Sequence, residues 1–271
     1  MSRPRAHLSA RVFVLLLSAS VPAISAAADL PTIDDPAIQA CIDKMMPAKS
    51  MTQQLTLRSY DASGLIEESV ATLYWSRAAE GSKSRAVIRL SAPASRKGLA
   101  VLMVESDSLE PTMYLYIPDL RRTRRVTGRQ LATSMMSTDL SYEEFQHFQQ
   151  AATNSATKRI ADQTIGGSPT YVLETLPAGE HSAYSRILTF VDQARCVPVQ
   201  TQFFGANGDL NKELLATPEE IKPIGDRYIP HHVVMHDRKK NTRTELIMEN
   251  VAIDVDLSEA IFSANRLGMA P

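Results

Sequence analysis

The sequence predicts a mainly β protein built around one large antiparallel sheet. Three observations carry that expectation. From Met51 onward, apolar and polar residues alternate over short runs. Turn-forming clusters such as Asp61-Ala62-Ser63-Gly64 separate those runs. Helical spacing is confined to two short stretches and a closing turn.

The chain opens with a pattern that reads as an export leader. Arg3, Arg5 and Arg11 supply positive charge, residues 12–24 are apolar apart from Ser18, Ser20 and Pro22, and Ser25-Ala26-Ala27-Ala28 offers small residues for cleavage. The apolar run falls short of the roughly 20 residues that span a bilayer. Residues 1–28 are therefore expected to be a cleaved signal peptide, and 29–271 one domain in the periplasm. The 29 basic and 30 acidic residues of the whole chain become 26 and 30 once the three leader arginines are gone. A mildly acidic balance argues against general nucleic-acid binding.

After a loose lead-in, Asp35-Pro36 starts a helix: Asp caps, and Pro takes the first helical position. Ile38, Cys41, Ile42, Met45 and Met46 follow at helical spacing, and Pro47 stops it. Strands are then read at 51–58, 70–76, 86–90, 99–104 and 113–117, with a turn at Glu80-Gly81-Ser82. The rhythm breaks at 133–152, where Ser141 and Glu144 form a capping box ahead of Phe145 and Phe148. Strands resume at 171–176, 185–192, 197–204, 228–236 and 243–255, and 258–262 reads as one helical turn. Roughly ten antiparallel strands make a large curved sheet, a sandwich or a barrel. Some, such as 99–104, are apolar on both faces. Either the sheet is covered on both sides, or its concave side holds helices or a ligand.

Cys41 and Cys196 both outlast leader removal, and an oxidising compartment lets them pair. Two separate buried thiols is the other reading. His231, His232 and His236 do not make a metal site: 232 and 236 share a strand face but lie about 13 Å apart. No nucleophile elbow and no carboxylate pair stands out, so neither catalytic residues nor a cofactor is expected.

The most unusual stretch runs Tyr114-Leu115-Tyr116-Ile117-Pro118-Asp119-Leu120-Arg121-Arg122-Thr123-Arg124-Arg125, followed by Ser137-Thr138-Asp139-Leu140-Ser141-Tyr142-Glu143-Glu144. It resembles the outer-membrane lipoprotein-sorting, or LolA-like, family, and within it the branch carrying "Tyr-Leu-Tyr-x-Pro … Arg-Arg" and then "Gly-Ser/Thr-Asp-Phe-Ser-Tyr-Glu-Asp". Ser137 stands where glycine is usual, and Leu140 and Glu144 are mild replacements. Gly225-Asp226-Arg227-Tyr228-Ile229-Pro230 and the closing Phe262-Ser263 with Leu267 extend the resemblance over most of the chain.

The resemblance implies a strongly curved antiparallel sheet, an unclosed barrel of about 11 strands capped by short helices, that shields acyl chains in its concavity. It also implies an inner-membrane exporter of the resistance-nodulation-division (RND) kind as a partner. The expected role is a non-enzymatic monomeric carrier of a lipid or acylated lipoprotein; the alternative is an exporter accessory subunit that carries nothing. Leu73, Trp75, Ile88, Leu90, Leu102 and Val104 are taken as one cargo-facing surface, with Met45, Phe145 and Phe148 on lid helices. Adaptable methionine suits irregular cargo; Met45, Met46, Met135 and Met136 read equally well as core fillers. Arg121, Arg122, Arg124 and Arg125, with Arg129, read either as a docking patch for anionic head groups or as a charged, aggregation-resistant edge strand. Asp139 reads as a structural capper ahead of the helix, with a specific docking role as the other reading.

Overall fold

The computed structural model describes residues 35–77, 83–105, 111–149, 155–177 and 181–269. The expected leader and the Glu80-Gly81-Ser82 turn lie outside them.

The first helix, α1 (Pro36–Met45), forms as its sequence dictates. The Asp35 carboxylate accepts from the Ala37 N–H at 2.9 Å, and Ile38 and Cys41 are buried. A meander of six strands follows: β1 (Ser50–Asp61), β2 (Gly64–Arg77), β3 (Ser84–Ala92), β4 (Ala100–Val104), β5 (Thr112–Ile117) and β6 (Arg122–Val126). Gly64 makes the first turn at φ 116, a value that glycine adopts without the clash a Cβ would bring. The short helix α2 (Tyr142–Phe148) then precedes β7 (Ala156–Ile165), β8 (Ser168–Leu176), β9 (Arg186–Asp192), β10 (Val197–Phe204) and β11 (Leu210–Ala216). A hairpin of β12 (Ile221–Ile224) and β13 (Arg227–Pro230) leads into β14 (His232–Asp237) and β15 (Thr242–Ile253).

Thirteen strands form one antiparallel sheet in the order β6-β5-β4-β3-β2-β1-β15-β14-β11-β10-β9-β8-β7, and β12–β13 pair separately. β6 and β7 are successive strands yet lie at opposite edges, so the sheet is not closed. The segment after β6 that includes α2 packs on the concave face: Met135, Met136, Tyr142 and Phe145 share a core with Leu55, Leu73, Trp75 and Ile88.

The sheet has more strands than the sequence predicts, and the reason is polarity. β7 is an edge strand with Lys158, Arg159, Asp162 and Gln163 exposed, so its alternation is masked. β11 buries polar Asn211 and Glu213. Glu213 accepts from Gln200 at 2.6 Å, Gln202 at 3.2 Å and Arg238 at 2.6 Å. The run 228–236 is two strands broken at His231, whose N–H donates to the Glu220 carbonyl.

The other side of β3–β5 is covered by the chain's end. Phe262 and Leu267 pack with Val87, Ala100 and Leu102. The cysteines are joined: Cys41 on α1 and Cys196 in the β9–β10 turn lie 4.8 Å apart at Cα, across a sequence separation of 155.

Candidate functional site

A cavity of about 690 Å³ lies on the concave face, within the roughly 300–1,000 Å³ usual for ligand pockets. Leu55, Leu57, Leu73 and Ile88 of β1–β3 make its aliphatic wall. Ile42 and Met45 of α1 and Phe145 and Phe148 of α2 border it.

Of the residues taken as cargo-facing, Leu73, Ile88, Met45, Phe145 and Phe148 line the cavity. Trp75 and Leu90 share that face and core but are not among its lining residues. Leu102 and Val104 are a correction. They point to the opposite face, with Phe262 and Leu267, while Val101 and Met103 of the same strand join the concave core. A strand apolar on both faces carries no facing signal, and a slip of one residue exchanges the faces. Leu214, Leu246 and Met248 line the cavity and were not anticipated; they sit on β11 and β15 among polar neighbours. Met135 and Met136 line it too.

Both bordering helices are fastened. α1 is held by the disulfide and by Arg227, whose Nη1 donates to the carbonyls of Asp43 (3.1 Å), Lys44 (2.9 Å) and Met46 (2.7 Å). These are the carbonyls that a helix end leaves without partners. α2 starts on its capping box: the Ser141 N–H donates to Glu144 Oε2 at 2.6 Å, and the Glu144 N–H to Ser141 Oγ at 3.2 Å. Glu144 is fully buried; it pairs with Lys212 at 2.9 Å and accepts from the Tyr184 hydroxyl. Burial and the Glu144 charge push the Tyr184 pKa up, so the phenol stays a donor.

Asp139 does not cap α2; Ser141 does. Its carboxylate accepts from Thr242 at 2.5 Å and Thr244 at 3.0 Å, and its N–H donates to Thr244 Oγ1 at 2.9 Å. Lys212 donates to its carbonyl at 2.6 Å. The unusual sequence around residues 137–144 therefore pins the loop before α2 onto β11 and β15.

Three titratable groups line the cavity near α2. Burial pushes Glu143 up, opposed by bonds from Ser182 and the Ala183 N–H. Apolar surroundings push His147 down to about 4, so its imidazole is neutral at neutral pH. His181 also lines the cavity.

Arg121, Arg122, Arg124 and Arg125 are exposed on or beside the β6 edge. None forms an ion pair among the described residues; Arg125 donates to Thr112 at 3.3 Å. The three histidines are dispersed. His231 meets the Ile229 carbonyl at 3.0 Å, His232 meets Thr217 at 2.6 Å, and His236 pairs across the ladder with Arg243. Among the described residues no helix is long and apolar enough to cross a membrane.

Solved structures share this fold of an unclosed antiparallel sheet. A domain described as an outer membrane lipoprotein-sorting protein, from Vibrio parahaemolyticus, matches with a TM-score of 0.76 at 20% identity, over 86% of this chain and 97% of that one. A DUF1329 family protein from Desulfovibrio piger matches at 0.77 and 19%, over 85% and 96%. A LolA superfamily protein from Nitrosomonas europaea matches at 0.62 and 17%, over 84% and 96%. No curated protein matches. The chain belongs to the family of proteins, described as uncharacterized, whose model matches residues 82–269.

Proposed function

We propose that the protein is a non-enzymatic carrier that moves a lipid, or the acyl chains of a lipoprotein, through the periplasm after removal of residues 1–28. One observation carries the reading: a cavity walled by aliphatic side chains and bordered by two anchored helices. An acyl chain left in water costs about 0.8 kcal/mol per CH₂, so a carrier must offer such a hollow. The lipoprotein-sorting description of the Vibrio parahaemolyticus domain agrees with this role. Cargo is exchanged with a membrane transporter, of the RND kind by resemblance. The exposed β6 arginines are the docking patch, because guanidinium binds phosphate bidentately.

Native mass spectrometry of the full chain purified from an exporting host tests the proposal. Co-purifying lipid is expected, along with uptake of a fluorescent fatty acid. Filling the cavity with Leu73→Trp or Ile88→Trp should cut uptake at least tenfold, while Arg124→Ser leaves it unchanged. A bare protein mass with no uptake would leave only an accessory subunit.

A further inference from the structure

The cavity wall is not uniformly apolar. Strands β7–β10 bring Thr157, Thr175, Thr189 and Thr201 to it, interspersed with Leu173, Ile187 and Val197. The register sets the threonines in cross-strand pairs, Thr157 with Thr175 and Thr189 with Thr201. Thr157 and Thr175 bond each other at 3.0 Å, and Thr189 meets His147 Nε2 at 3.4 Å. Thr201, 2% exposed, makes no side-chain hydrogen bond among the described residues. In a mainly apolar pocket, a few such polar groups fix a ligand's orientation.

Two buried amides point the same way. Gln53 and Gln149 line the cavity at 8% and 7% exposure, and the carbonyl oxygen of each has no partner. Gln53 occupies a concave position of β1 between Met51 and Leu55, directly across from Leu73. An amide oxygen only accepts. A hydroxyl on the cargo serves such a group by donating to it.

We propose that the cargo is a lipid bearing hydroxyl groups within its hydrophobic body, which donate to the Gln53 and Gln149 carbonyl oxygens and meet the cavity's threonines. This rests on the carrier reading and narrows its cargo class. The aliphatic lining takes the hydrocarbon, and Gln53, Gln149 and the threonines take the hydroxyls. Buried polar groups of this kind select against an analogue that lacks the matching hydroxyl.

The test is displacement of a fluorescent fatty acid from the full chain by stearic acid and by hydroxystearic acids with the hydroxyl mid-chain. At least one hydroxylated acid is expected to bind about tenfold tighter than stearic acid, the ratio that one good hydrogen bond supplies. Gln53→Met and the Thr189→Val/Thr201→Val double variant should lose that preference while binding stearic acid at least as well. Equal affinity of all the acids for the unaltered protein overturns the inference and leaves the carrier reading standing. So does a preference that persists in both variants. Failure of every acid to bind overturns the carrier reading, and this inference with it.

Discussion

His147 sits on α2 against the cavity, with Thr189 at 3.4 Å as its polar neighbour. Its pKa falls from 6.5 to about 4 because burial disfavours the imidazolium. Between those values the unfolded chain holds a proton that the folded chain does not, so stability falls as the pH drops through the window and recovers above it. Glu143 acts in the opposite sense. Its pKa is raised, so its contribution is present at low pH and fades as the pH rises through the folded value. Replacing His147 with Gln should flatten the loss between about pH 6.5 and pH 4, a difference approaching about 3 kcal/mol. Denaturant unfolding of both proteins across that range measures it; parallel curves would mean that the ring is charged in the folded state. At this scale the sequence was informative about type and silent about facing. Ser141 and Glu144 announced a capping box that is present. Asp139 announced a cap, and serves instead to tie its loop to Thr242 and Thr244 of β15.

Among the elements, α1 was readable from residue spacing alone, while what fastens it was not. The disulfide crosses a separation of 155 residues, and Arg227 reaches α1 from the distant β13. A Cys41→Ser/Cys196→Ser variant should lose roughly 3–5 kcal/mol of stability in the chain-entropy account. Arg227→Met leaves three carbonyls at the end of α1 without their donor. It should cost about 1–3 kcal/mol and, if α1 is the moving cover, speed cargo release several-fold. Stopped-flow transfer of a fluorescent fatty acid to vesicles measures that rate; an unchanged rate with lowered stability would assign gating to α2. β7 and β11 show the converse. Their residues are too polar to signal strands, and only neighbouring strands supply the partners that make burial of Glu213 tolerable.

At the scale of the whole molecule, a chain of nearly balanced charge concentrates four exposed arginines at one sheet edge. An open edge invites pairing with another chain, and charge discourages it. The same charge attracts anionic lipid head groups over about 10 Å at moderate ionic strength. Changing Arg121, Arg122, Arg124 and Arg125 together to Ser distinguishes these roles. Loss of co-sedimentation with phosphatidylglycerol vesicles, in a protein still monomeric and still able to take up fatty acid, is expected for docking. Self-association with vesicle binding intact would assign the arginines to edge protection alone.

The sequence by itself determined a β-rich chain, its two helices with their caps, most of its strands and the residue types of an apolar hollow. Those follow from local spacing, because side-chain period and capping chemistry are properties of neighbours along the chain. Only the tertiary structure decided which face of β4 looks inward, that Leu102 and Val104 serve the outer core, and that β7–β10 set threonines among the aliphatic residues of the cavity. Those depend on register and on what covers each face, and both are fixed by partners far away in sequence.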